Sequence, residues 1–393
     1  MSLQPIARSA DLQKLRGEGY AIEVRLGYLL VKEVPYVNAD KAIRRGVLIS
    51  RLDMANDTTV MPQDHVAYWT GEHPCHSDGR KISAIQNESP PQKFGEDIHA
   101  DHTFSAKADY RDYHHKMTAY IATISGEARV LDPSVRAETF PLYLPEDPES
   151  VFKYDDTASS RVHLGAFNQK LIHQRIGIIG LGGTGSYVLD FVAKTHVKEI
   201  HLFDGDLFLQ HNAFRAPGAA SGQAIERKQK KVHHWAEVYA AMRNGIVIHD
   251  HYLDDPTLDS LQGLNFVFLC MDSGEAKKAV MSKLQDMDLS FIDVGLGVTP
   301  YGDGLGGLMR VSTSTPQNRA TALRFISTTE VADVVNDYST NIQVVELNAL
   351  NAAFAVIRWK KLLGFYYEGS NEHNCSYSIG QNEITNNGGK DDQ

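Results

Sequence analysis

Between Arg175 and Gly185 the chain reads Arg-Ile-Gly-Ile-Ile-Gly-Leu-Gly-Gly-Thr-Gly, an apolar run that breaks into the glycines Gly180, Gly182, Gly183 and Gly185. Ile176, Ile178 and Ile179 read as a buried β-strand and Tyr187 to Lys194 as the opening of a helix, so the glycines fall at a strand-to-helix turn. Such a turn suits anionic phosphate: glycine admits close backbone approach, and a helix N-terminus supplies free N–H groups and a dipole that favours negative charge. The spacing G-x-G-x-x-G also fits a dinucleotide site or an ordinary glycine-rich turn, so the flanking residues must decide.

The 393 residues, 42% of them hydrophobic, suffice for two domains with their own cores. A formal charge of −10 argues against a nucleic-acid partner. There is no apolar run of about 18 residues to span a membrane, and Met1 to Tyr20 lacks the apolar centre of a signal peptide, so a cytoplasmic location is expected. Cys75, Cys270 and Cys375 are too few and scattered for a disulfide framework and fit a reducing compartment.

Up to about residue 150 the chain is mostly extended, with a hairpin predicted over 20–32 and β-like segments at 46–50 and 65–69, an α+β or β-rich module. Its histidines His73, His76, His99, His102, His114 and His115, near Asp101 and Asp112, lack a spacing that identifies a metal geometry, and core or surface roles are the commoner reading. Polar, proline-bearing residues 145–160 mark a junction, which divides the chain into 1–155 and 156–393. Beyond it strands are predicted at 175–180, 198–203, 245–250, 265–270 and 289–294, with helices at 185–195, 224–243 and 274–287. That alternation predicts an α/β, Rossmann-like, mainly parallel sheet with helices on both faces. A glycine-rich crossing segment is expected at 302–307, then a strand over 307–312, a helix over 341–365 and a disordered polar tail from Asn386.

The strand ending at Phe203 runs into Asp204-Gly205-Asp206, which places a carboxylate beside the glycine turn, where a ribose hydroxyl lies in nucleotide sites. An NAD-dependent oxidoreductase shares that feature. Asn212, Arg215, Lys228, Lys230, Lys231 and Asp272 do not belong to hydride transfer: cations suit charge building on a phosphoryl group, and a carboxylate at a strand end suits Mg²⁺. Taken singly, Asp206 reads as a turn cap and Lys228 and Lys230 as a solvated face.

In order and spacing, Gly180-Leu-Gly-Gly-Thr-Gly185, Asp204-x-Asp206, Asn212-x-x-Arg215, a lysine-led helix and Cys270-x-Asp272 resemble the ThiF/MoeB, ubiquitin-activating superfamily. The module ahead of them is similar to an uncharacterised domain fused to such domains in bacteria. The resemblance implies an ATP-dependent adenylyltransferase that activates the C-terminal carboxylate of a ubiquitin-like or sulfur-carrier protein, releasing pyrophosphate. It implies that Gly180, Gly182, Gly183 and Gly185 admit the nucleotide, that Asp204 binds ribose, that Asn212 and Arg215 reach the phosphates, that Lys231 or else Lys228 neutralises charge, and that Asp272 holds Mg²⁺. It also implies a homodimer, with Arg161 offered to the partner's site, and a possible conjugating-enzyme-like partner.

Departures from the family concern the fate of the adenylate. The paired cysteines of the family's structural zinc are absent, so no such zinc is expected. Where a nucleophilic cysteine is expected, the chain reads Ser312-Thr-Ser-Thr-Pro316. The reaction then stops at the adenylate, passes to a hydroxyl as an oxyester, or passes to Cys375, whose polar surroundings near His373 could lower its pKa; Cys270 follows a buried run and reads as core. A non-catalytic scaffold that binds ubiquitin-like partners is the remaining alternative.

Overall fold

The computed structural model describes residues 6, 8–87, 89–95, 97–145, 149–161, 164–272, 274–328 and 342–387, and the side chains of all of these except 160 and 161. The chain divides into two compact units, Met1–Glu146 with Tyr154–His163 and Asp147–Lys153 with Leu164–Gln393. The junction is therefore interleaved: the Lys153 N–H donates to the Met242 carbonyl of the second unit, and the Asp155 N–H to the Tyr143 carbonyl of the first.

In the first unit, strands β1 (Ala21–Arg25), β2 (Tyr28–Val37), β3 (Ile43–Arg51), β4 (Val66–Thr70), β5 (Gln86–Asn87) and β6 (His102–Ser105) form an antiparallel sheet in the order β1-β2-β3-β4-β6-β5. Helices α1 (Ala10–Glu18) and α2 (Tyr113–Leu131) join it. The second corrects the reading of this region as mostly extended. Asp112 caps α2 by accepting the His115 N–H at 2.7 Å. Tyr113, Met117, Tyr120, Ile121, Ile124 and Ala128 recur at helical spacing and are buried in the unit's core. The histidines join no metal centre: among the described residues no three His, Cys, Asp or Glu are arranged to hold an ion. His102 stacks on Phe104 and His73 stands edge-on to it, and burial holds both imidazoles below their ordinary pKa.

The second unit is built on an eight-stranded sheet. Strands β7 (Arg175–Ile179), β8 (Glu199–Phe203), β9 (Ile246–His249), β10 (Phe266–Leu269), β11 (Phe291–Tyr301), β12 (Gly304–Ser314), β13 (Asn374–Ser378) and β14 (Glu383–Asn387) lie in the order β9-β8-β7-β10-β11-β12-β13-β14. The first five are parallel and the rest antiparallel. Ile176, Ile178, Val267 and Phe268 are fully buried, as strands covered on both faces require. One core cluster includes helices α3 (Gly183–Ala193) and α8 (Val345–Leu362), and another includes α7 (Glu275–Asp286).

Three expectations for this unit are corrected. The crossing segment at 302–307 is the tip of the β11–β12 hairpin and the start of β12, with Tyr301 opposite Gly304. The helix predicted over 224–243 is two, α5 (Gly222–Glu226) and α6 (Lys231–Ala240), because Lys228 takes a left-handed φ of 47° and the backbone at Lys230 bridges to Leu207. Asn386 and Asn387 belong to β14, and the expected disorder beyond them lies outside the described residues. Among the described residues no helix is long and apolar enough to cross a membrane.

Candidate functional site

The strand order reverses between β7 and β10, and in open parallel sheets ligands gather outside the carboxyl ends at such a point. The glycine turn lies there, and its glycines divide the work. Gly180 has φ 88°, and a Cβ on it would lie 2.5 Å from the Cys270 carbonyl at the end of β10. A Cβ on Gly185 would lie 1.8 Å from the Gly180 carbonyl, and one on Gly183 would lie 2.3 Å from the Asn348 carboxamide on α8. These three glycines let backbone and helices close on one another. Gly182, at the N-cap of α3, faces nothing within 4 Å, and it is the position open to a ligand. Helix α3 offers its N-terminal N–H groups there, while its far end is capped by buried Arg243, whose guanidinium donates to the carbonyls of Ala193, Thr195 and Val197.

Asp204, at the carboxyl end of β8, is bound to this turn. Its Oδ2 accepts the Leu181 N–H at 2.7 Å and its Oδ1 accepts the Asp206 N–H at 2.8 Å. Oδ1 keeps a lone pair for a further donor, whereas Oδ2 also accepts from Lys231 Nζ. From Asp204 the chain makes an excursion through α4 (Gln210–Ala213) and α5, then returns: the Phe208 N–H donates to Gln229, and the Lys231 N–H to Asp206. The break before α6 thus puts Lys231 at the helix start, with its Nζ 2.7 Å from Asp206 Oδ2 and 3.4 Å from Asp204 Oδ2. Lys228 is exposed on the turn before it. Burial alone would raise the Asp206 pKa, but Lys231 and the Tyr252 hydroxyl hold it below the usual carboxylate range.

Asn212 and Arg215 lie on the excursion. Asn212 is buried and accepts the Leu209 N–H at 2.9 Å, which closes the turn into α4. The Arg215 guanidinium has a buried Nε without a partner, and no ion pair holds it among the described residues. Asp272, just past β10, is exposed and likewise unpaired among the described residues. Direct bonds therefore join the glycine turn, Asp204, Asp206 and Lys231; Asn212, Arg215 and Asp272 are brought to the same end of the sheet by the topology. Arg161 ends a helical turn, Thr157–Arg161, and its side chain lies outside those described.

The two groups considered for later chemistry are placed differently. Ser312, Thr313 and Ser314 have no exposed surface, so among the hydroxyls of this stretch these three are sealed in the sheet and cannot attack a bound protein tail, while Thr315 is half-buried and its hydroxyl donates to Asn318 Oδ1 at 3.1 Å. Cys375 lies on β13. Ile179, Leu269, Asp293, Ser312 and Asn374 form one row across the sheet, so Cys375 sits about 19 Å, four strand spacings, from the end of β7. It lines a cavity of about 220 Å³ with His373, Arg358 and Lys361. The expectation that its surroundings lower its pKa is corrected, since burial pushes the thiol up. Cys270 packs against the core and its thiol is likewise pushed up by burial.

Sequence reasoning missed Asn348 and the Asp293 cluster. Asn348 is buried against Gly183, and its Oδ1 accepts the Thr184 hydroxyl at 3.0 Å. Asp293, on β11, is fully buried between Lys277 Nζ at 2.5 Å and Arg310 at 2.7 Å. Asn348 and Asn351, which interrupt the otherwise apolar run 347–357 of α8, were the available signal for the first; nothing local marks the second.

In known structures the fold is similar to that of PaaA, at 15% identity over 56% of this chain and 75% of that one, with a TM-score of 0.42. It is similar to E. coli MccB with MccA, at 15% identity over 59% and 71% of the two chains and a TM-score of 0.45. It is similar also to the E. coli tRNA N6-threonylcarbamoyladenosine dehydratase TcdA, at 18% identity over 53% and 92%, with a TM-score of 0.41. No curated protein matches the sequence. A domain of unknown function, DUF6791, matches residues 10–157. The ThiF family matches residues 157–357, half of the chain, and it is to the ThiF family that this protein belongs.

Proposed function

We propose that the second unit is an ATP-dependent adenylyltransferase that activates the C-terminal carboxylate of a ubiquitin-like or sulfur-carrier protein. The observation that carries this reading is the open Gly182 position at the start of α3, flanked by a carboxylate with spare acceptor capacity and by cationic side chains at the same sheet end. The substrate carboxylate oxygen attacks the α-phosphorus of ATP. The bond to the bridging oxygen breaks, and pyrophosphate leaves with the electron pair.

The residues divide the task. Backbone N–H groups at Gly182 and Gly183 meet phosphate oxygens, and Asp204 accepts from the ribose hydroxyls. Arg215, whose guanidinium has an unpartnered Nε, and Lys231 neutralise charge as it builds on the phosphates. Asn212 holds the turn that presents Arg215. Asp272, an exposed carboxylate with no cation on it among the described residues, fits Mg²⁺, which would neutralise phosphate oxygens there. The chain works as a homodimer, with Arg161 reaching the partner's nucleotide, and the first unit recruits partners such as a conjugating-enzyme-like protein.

Exchange of labelled pyrophosphate into ATP, assayed with a panel of ubiquitin-like and sulfur-carrier proteins, tests the reading. Exchange that requires a carrier with an intact C-terminus supports it. Absence of exchange with every such carrier, in a chain that binds no ATP by calorimetry, would sink it.

A further inference from the structure

Tyr252 follows β9, and its ring lies on the Asp204–Asp206 turn. A Cβ placed on Gly205 would fall 2.9 Å from each of the ring atoms Cδ2, Cε2 and Cζ. Equal distances to three ring atoms mean that the turn meets the face of the ring and not its edge. The hydroxyl is bonded to Asp206 Oδ1, and the other oxygen of that carboxylate holds Lys231 at 2.7 Å. The ring is thus seated on one face and tethered at its tip, yet Tyr252 is 66% exposed, so the surface turned away from Gly205 meets solvent.

The carboxyl ends of the strands run in order from the Gly182 opening at β7, through Asp204 at β8, to the segment after β9 that carries Tyr252. A nucleotide with its phosphates at Gly182 and its ribose on Asp204 carries its base outward along that line. We infer that Tyr252 is the platform on which the base of the bound nucleotide stacks, and that Gly205 is glycine because a side chain there would lift the ring off the turn. The ring needs no reorganisation to receive a base, because the bond to Asp206 already holds it. This inference rests on the adenylation reading, which puts a nucleotide in the site.

Calorimetry on the full chain with Mg²⁺ tests it, with ATP and inorganic tripolyphosphate as separate ligands. The wild type is expected to bind both, ATP more tightly. Tyr252→Ala should weaken ATP about tenfold and leave tripolyphosphate unchanged, the range expected for losing one base–aromatic stack. Tyr252→Phe, which keeps the ring and loses the tether, should retain most of the preference for ATP, and Gly205→Ala should lose part of it. A Tyr252→Ala variant that keeps the wild-type preference for ATP, or loses both ligands equally, overturns the platform alone. A wild type that binds neither ligand overturns the nucleotide reading and the platform with it.

Discussion

Two clusters of carboxylates and cations sit in one sheet and are built in opposite ways. Asp293 is sealed at β11 between Lys277 and Arg310, with no exposed surface. Burial pushes its pKa up and the two cations oppose that. Every charge there is spent on another charge of the same chain. At the end of β8, Asp204 and Asp206 share Lys231, but Asp204 keeps acceptor capacity, half of Asp206 faces solvent and the neighbouring Gly182 is uncovered. Charges alone do not mark a ligand site; spare valence beside an opening does. The closed cluster braces β11, β12 and α7, and the open one is left for a substrate.

The sharpest way to break this contrast is Asp293→Ala. It strands the buried Lys277 and the half-buried Arg310 and should cost about 3–5 kcal/mol in urea denaturation. A loss below ~1 kcal/mol would show that the closed cluster is not a brace. Arg215→Ala is the counterpart on the open side. It should lower pyrophosphate exchange about a hundredfold, as the loss of a charge-stabilising donor does, while stability stays within ~0.5 kcal/mol. A large stability loss with intact exchange would reverse the assignment.

Within the glycine turn the same distinction is expected one atom at a time. Gly185→Ala meets the Gly180 carbonyl and should destabilise the fold by about 1–3 kcal/mol, whether or not ATP is present. Gly182→Ala has room, so its melting temperature should be unchanged while calorimetry shows weaker ATP binding. The smallest effect concerns pH. Asp206 is depressed in the folded state, so its contribution is present above its unfolded pKa, near 3.8, and is lost as pH falls through the lower folded value. Because half of Asp206 is exposed, the difference in urea stability between the wild type and Asp206→Asn should stay below about 1 kcal/mol at pH 7 and close below pH ~3.8. For Cys375, whose thiol is pushed up, alkylation should be slower at pH 8 than that of an unperturbed cysteine and accelerate with rising pH; fast alkylation at pH 7 would restore it as a nucleophile.

Much of the second unit was legible because its signals are local. Ile176 to Gly185 declare a strand, a turn and a helix within one short stretch, and Asp204 comes directly after its strand. The first unit was less legible. The periodic apolar positions of α2, two tyrosines, a methionine, two isoleucines and an alanine, are interleaved with polar residues, so the helical stripe is shallow and is outweighed by the β-like segments before it. The β11–β12 hairpin reads as a crossing because glycines mark turns without saying whether the chain then doubles back.

The sequence by itself determined the chemistry on offer and its order: a glycine turn, a carboxylate at the next strand end, an arginine and a lysine beyond it, and a second carboxylate after β10. These obey short-range rules, since a residue's place on a strand end or helix start depends on its neighbours. Only the tertiary structure decided which groups remain available. It closed Asp293 on Lys277 and Arg310, sealed Ser312 to Ser314, moved Cys375 four strands from the glycine turn and laid Tyr252 on Gly205. Each of those outcomes depends on residues far apart in the chain meeting across the sheet, and burial, which sets both reactivity and spare hydrogen-bonding capacity, exists only once they have met.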